Sequence, residues 1–249
     1  MFHSEANNTC GELGFDLAEN ILDFGDVTPK IPDKEGMLEA VQPIIKKMMS
    51  EQRLRSLSLG GDHSITYPLC KAVREQIGRP FTIVHFDAHP DIYPLFDNNL
   101  SSHASPFARI CEEPDLCTKL ISIGIRTATQ EQRQQIQKYG VEVIEARHFP
   151  AHGSDVGRRL RELIQDDSLV YISFDMDALD PSAAPGVSHQ EPGGLSTRQA
   201  IDAIHAIPGI IIGADLVELN PDLDCQLMTS RVASKIMKEI ASVIVRSNM

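Results

Sequence analysis

The sequence predicts an α/β protein built on a mostly parallel central sheet flanked by helices. Three observations predict it. Short apolar runs alternate with longer amphipathic segments from about residue 20 to the end, several of those segments open on Ser, Thr or Asp, and acids and histidines collect where the apolar runs stop. Taken in order, ILDFGDV (21–27) precedes a helix predicted at 34–51, and LRSLSLGG (54–61) precedes one at 64–77. PFTIVHFDAH (80–89) leads into a polar loop, IYPLFDNNLSS (92–102). LISIGIR (120–126), VEVIEA (141–146), LVYISFDMD (169–177) and IIIGADLVEL (210–219) are followed by predicted helices at 130–139, 154–166, 196–206 and 229–246. The runs have the length of strands and the segments between them the length of helices.

A chain of 249 residues holds one or two domains on length alone. No linker, low-complexity tract or repeat divides it, and the residues that carry chemistry are spread over four runs between 60 and 218, so a single domain over 1–249 is expected. The formal net charge of −12 arises from 35 acidic against 23 basic residues without a Lys/Arg run, so nucleic acid is not an expected partner. The five cysteines (Cys10, Cys70, Cys111, Cys117, Cys225) are scattered and never spaced C-x-x-C, which suggests free thiols in a reducing compartment. No apolar stretch approaches a membrane span and MFHSEANN lacks the features of a secretory signal, so no membrane partner and a cytoplasmic location are expected.

In open parallel sheets the ligand site lies beyond the carboxyl ends of the strands. TIVHFDAHPD ends in Asp87, His89 and Asp91, alternate residues that share one side of an extended backbone. LVYISFDMDALDP ends in Asp175 and Asp177 with the same spacing, and LSLGGDHS ends in His63 after a Gly-Gly pair that permits a tight turn. Four carboxylates brought together cannot all stay ionised without cations between them, and two divalent ions would neutralise them. So many carboxylates with few imidazoles suit Mn²⁺; Zn²⁺ would draw fewer acids, although affinity alone leaves Co²⁺, Ni²⁺ and Zn²⁺ open.

GGDHS, DAHPD, SFDMDALDP and VELNP, in this order, resemble the motif set of the ureohydrolase superfamily, which includes arginases, agmatinases and formimidoylglutamases. The similarity runs from about residue 20 to the C-terminus, and DAHPDIY, SHASPFARI and APGVSHQEPGGLS resemble the plant and bacterial arginase/agmatinase branch. The resemblance implies a three-layer arginase-like fold and two Mn²⁺ per subunit. Asp87 and Asp175 would bridge them, His63 and Asp91 would complete one site, and His89 and Asp177 the other. It further implies binuclear manganese-dependent hydrolysis of a small cationic guanidinium substrate, arginine or agmatine, to urea and an amine. A metal-bridging hydroxide would be the nucleophile, since two ions about 3.5–4 Å apart lower the pKa of the water they share. His103, in SSHAS, matches the family's catalytic histidine and is the candidate proton shuttle; Glu218, in VELNP, would pair with the guanidinium.

Tyr93 and Ser102, on the 92–102 loop, are candidate substrate-binding residues. Animal arginases carry Asn at the position matching Tyr93, so arginine is not recognised in that way here, and relatives with the DIY motif accept both substrates. Formimidoylglutamate is the weaker alternative. Of the other histidines, His85 on a buried run, His148, His152, His205 and His3 are expected to be structural or solvated; His189 is a candidate for shaping the rim, and Asp215 equally for a structural hydrogen bond or a direct role at the site.

Family members carry a first strand and a long Gly/Pro-rich rim loop ahead of the segment at which this chain begins. By the resemblance that strand would lie between ILDFGDV and LSLGG. The expectation is a sheet of the six later strands that keeps every ligand but has an exposed edge and an incomplete substrate wall. Beside the active enzyme stands a catalytically impaired metal-binding paralogue or fragment. A deacetylase of related fold would use one zinc and does not need the second Asp pair. The family also implies a homo-oligomer, trimer or hexamer.

Overall fold

The computed structural model describes residues 12–17, 20–149 and 153–247. Six of the seven apolar runs form strands of one parallel sheet: β1 (Ser56–Leu59), β2 (Phe81–Phe86), β3 (Cys117–Ile125), β4 (Glu142–Glu145), β5 (Leu169–Asp175) and β6 (Ile210–Val217). Their order is β1-β6-β5-β2-β3-β4. The helices are α1 (Lys34–Lys46), α2 (Thr66–Ile77), α3 (Pro106–Glu112), α4 (Gln130–Tyr139), α5 (Gly153–Leu163), α6 (Thr197–Ala206) and α7 (Met228–Arg246). α1 continues as a π-helical turn over Lys47–Glu51, so the segment predicted at 34–51 is helical throughout.

The central strands are covered on both faces, which is why their sequences read as unbroken apolar runs. FTIVHF of β2 is buried at every position. Along it Val84 and Phe86 point into one apolar layer with Leu160, Ile204 and Ile236 of α5, α6 and α7. Phe81 and Ile83 point into the other, with Val41, Val73 and Phe107 of α1, α2 and α3. Helices on both faces of one parallel sheet make the three-layer α/β fold.

The first apolar run departs from expectation: 21–27 forms no strand, and Ile21 and Leu22 are exposed. Gly25 takes a left-handed φ of 77° and donates its N–H to the Asp23 carboxylate, folding the segment into a local turn. Among the described residues no strand pairs with it. β1 is the outer strand on that side, and Leu59 at its end is 59% exposed.

The strand order fixes where a site can form. From β2 the chain winds outward to β3 and β4; from β5 it winds the opposite way to β6. The adjacent pair β2 and β5 is thus the topological switch point, and the crevice lies beyond their carboxyl ends.

Candidate metal centre

Asp87 directly follows β2 and Asp175 closes β5, so the two strands at the switch point deliver the two central carboxylates. Each strand then turns on its own acid. Asp87 Oδ1 accepts the His89 N–H at 2.6 Å and Asp175 Oδ1 accepts the Asp177 N–H at 2.7 Å, which brings the next ligand back to the same side. Asp177 Oδ1 accepts the Ala88 N–H at 3.0 Å, so the two loops also hold each other. His63 arrives from β1 on a short 3₁₀ turn, His63–Ile65, capped by Asp62. Gly60 makes that turn possible, because a Cβ there would sit 2.8 Å from Val217 and 2.3 Å from Ile65.

All six predicted ligands converge. His63 Nδ1 lies 3.2 Å from Asp87 Oδ2, 3.1 Å from Asp91 Oδ2 and 3.2 Å from Asp175 Oδ2. His89 Nδ1 lies 3.4 Å from Asp87 Oδ1 and 3.0 Å from Asp177 Oδ2. These make two groups, His63–Asp87–Asp91–Asp175 and Asp87–His89–Asp177, each with donor atoms within 4.8 Å of one another. Asp87 belongs to both, one oxygen to each. The ligands are buried except His89, which is half-buried and has Nε2 3.7 Å from Glu191.

The donor set fits divalent cations. His63 Nδ1 is buried among three carboxylates yet aligned with none of them in a hydrogen bond, as expected of a nitrogen whose lone pair is reserved for a metal. Without cations, protons must carry the compensating charge. Burial, reinforced by the Asp87 charge, pushes Asp91 up to about 7 and Asp177 to about 6. Burial with Asp177 and Asp87 raises Asp175 well above the carboxylate range. Burial pushes the His89 imidazole down, but Asp177 and Asp87 more than reverse this and hold it at about 12. Four carboxylates this close are held together only by positive charge among them.

His85 has a place that its sequence context hid. Its Nε2 lies 2.8 Å from Asp87 Oδ2 and its Nδ1 3.1 Å from Ser122 Oγ, so it orients the carboxylate shared by both groups. Burial holds it down at about 4, so it is neutral and donates from Nε2. The i, i+2 spacing of His85 and Asp87 is the same signal that picked out Asp87 and His89. Arg126, at the end of β3, was also missed. Its N–H donates to Ala88 O at 2.9 Å, and its guanidinium donates to Asp177 O at 2.7 Å and Glu191 O at 2.6 Å, joining three loops around the ligands.

Glu218 follows β6 with φ 65° and accepts the His63 N–H on Oε1 at 2.9 Å, so its carboxylate borders the metal-ligand turn. His103 is half-buried and stacks on His189 with ring centroids 5.6 Å apart; His189 in turn lies 6.1 Å from His89. Tyr93 packs on Phe96 at 5.1 Å and lines an open cleft of about 580 Å³ with Thr129, Gln130, Glu131 and Gln134. Ser102 is buried and its Oγ accepts the Ala104 N–H at 3.2 Å, which places it in a turn beneath the rim. His205 pairs with Glu239 at 2.6 Å, and the exposed His148 lies 3.4 Å from Glu145; His3 and His152 lie outside the described residues. The described cysteines, Cys70, Cys111, Cys117 and Cys225, are unbridged.

A carboxylate-rich candidate cation site at the switch point of a parallel three-layer sheet points to the class of metal-site α/β proteins. The comparisons name the family. The arginase family model matches residues 4–242. The chain is 42% identical over 248 residues to arginase 1, mitochondrial, of Arabidopsis thaliana, covering 96% of this chain and 71% of that one. It is 39% identical over 201 residues to the N(1)-aminopropylagmatine ureohydrolase of Thermus thermophilus, covering 77% and 65%. The arginase structure from Medicago truncatula superposes with a TM-score of 0.86 at 40% identity, covering 97% of this chain and 77% of that one. The chain belongs to the arginase family, hydrolases that act on guanidino C–N bonds.

Proposed function

We propose that the protein is a binuclear manganese hydrolase that releases urea from arginine or agmatine. The observation that carries this reading is Asp87, which turns one oxygen to each of two ligand groups. His63 and Asp91 would complete one site and His89 and Asp177 the other. Asp175 Oδ2 faces the His63 group while Oδ1 takes the Asp177 N–H, so support for bridging is stronger for Asp87. When bound, two divalent ions neutralise the four carboxylates and supply a hydroxide nucleophile at neutral pH.

The chain's own residues would do the rest. His103 stands on the rim beside His189, where an imidazole can give a proton to the departing amine. Glu218, with one oxygen on His63 N–H, keeps the other to pair with a guanidinium. The cleft beside Tyr93 offers the Glu131 carboxylate and neutral groups but no lysine or arginine. We also propose a homo-oligomer, trimer or hexamer, in the cytoplasm.

A urea-release assay on both substrates with added Mn²⁺, run beside Asp177→Ala, tests the reading. The wild-type chain is expected to release urea from at least one substrate, and Asp177→Ala to be slower by on the order of 100-fold or more. Two bound ions with no urea from either substrate would leave the catalytically impaired paralogue as the correct reading.

A further inference from the structure

Behind His63, on the side away from the carboxylates, runs a buried line of hydrogen bonds that the proposed hydrolysis does not use. His63 Nε2 lies 2.9 Å from Ser173 Oγ, Ser173 Oγ lies 2.7 Å from Asp215 Oδ1, and Tyr171 Oη lies 2.8 Å from Asp215 Oδ2. All four residues are fully buried. Their placement follows from the sheet. Tyr171 and Ser173 are alternate residues of β5, and Asp215 is the partner of Ser173 in register on β6.

The direction of each bond is set by the supply of protons. A carboxylate accepts, the tyrosine hydroxyl has one proton and gives it to Oδ2, and the serine hydroxyl has one and gives it to Oδ1. Ser173 Oγ therefore receives at His63, so Nε2 carries the hydrogen. Nδ1 is then the nitrogen left for a metal, and it faces Asp87, Asp91 and Asp175 without an aligned hydrogen bond.

We infer that Asp215, acting through Ser173 and held by Tyr171, is a positioning residue that fixes the His63 tautomer and so sets the affinity of one of the two metal sites. The inference rests on the metal-centre reading above. A ring whose Nε2 is tied to the sheet presents Nδ1 at a fixed place and angle, so the entropy of orienting the ligand is lost on folding and not again on metal binding. The Asp87–His89–Asp177 group has no part in the line and should not feel its loss.

The test counts Mn²⁺ bound to the full chain, reading free Mn²⁺ by electron paramagnetic resonance, with thermal melting alongside. Asp215→Asn and Ser173→Ala are expected to weaken one ion by about 10- to 100-fold and leave the other as in wild type. Tyr171→Phe, which keeps the Ser173–Asp215 bond, is expected to lie between them and wild type. Two ions bound at wild-type affinity in both variants would overturn the inference, as would a loss of both ions that follows the loss of melting temperature. If Asp215→Asn does not fold, Ser173→Ala and Tyr171→Phe decide by the same criterion. Failure of the metal reading itself would show in the wild-type chain, which would bind no ion.

Discussion

Asp91 and Glu218 both adopt a left-handed backbone, φ 44° and 65°, that residues other than glycine rarely take. In each case the loop thereby turns a carboxylate back toward His63, so the backbone strain and the chemistry coincide. Protonation is the second consequence of crowding. The ordinary Asp value is 3.8, and in the metal-free fold Asp177 stands at about 6 and Asp91 at about 7. The folded chain therefore binds more protons than the unfolded one between roughly pH 4 and 7, and the stability these two groups contribute is present at low pH and lost as pH rises through 6 to 7. Since metal requires deprotonated carboxylates, binding must release those protons. Titration calorimetry in buffers of differing ionisation heat is expected to show more protons released per ion at about pH 6 than at about pH 8. Equal release at both would mean that the carboxylates were already ionised. The six candidate ligands that the fold brings together could be picked out in the sequence because acids and histidines at alternate positions of strand ends are uncommon by chance. His85 was not picked out, because a histidine inside an apolar run reads as core. Ser102, read as a rim donor, is buried and accepts the Ala104 N–H on Oγ, a turn contact that the sequence does not show.

At the scale of elements, six strands and six helices were legible from period and length alone, since both faces of the sheet are covered and the central runs stay apolar. Two features were not. The 21–27 run carries the composition of a strand, but pairing is a property of neighbours, and Asp23 with Gly25 offers a competing local turn. α3 is short and opens on Pro106 after a polar loop, so its pattern is weak; its helical state rests on Phe107 and Ile110 packing against the layer of α2. Packing is tightest in the middle of the sheet. Ile172, fully buried on β5 between β2 and β6, is expected to cost about 2–5 kcal/mol on truncation to alanine, measured by chemical denaturation. A cost below about 1 kcal/mol would mean that the layer repacks around the void.

For the whole molecule, the sheet edge that carries the candidate site was readable before strand order was known, because ligand residues cluster where parallel strands end. The order itself was not readable, since β1 and β6 are far apart in sequence and nothing local marks them as partners. A chain of 27.5 kDa that assembles as proposed should scatter light as three or six copies; a monomer would contradict it.

The parallel sheet also governs the order of events as the chain folds. In sequence, 110 residues separate His63 from the Ser173 that orients it, 89 separate Ala88 from Asp177, and 155 separate His63 from Glu218. Contacts of such range close slowly, after local helices have formed and loop entropy has been overcome. No short stretch of the nascent chain holds a complete ligand group, so ions cannot template this fold as zinc does a finger. Ions that bind here would enter a cage that the finished topology has already drawn together, so that uptake would follow folding and not begin it.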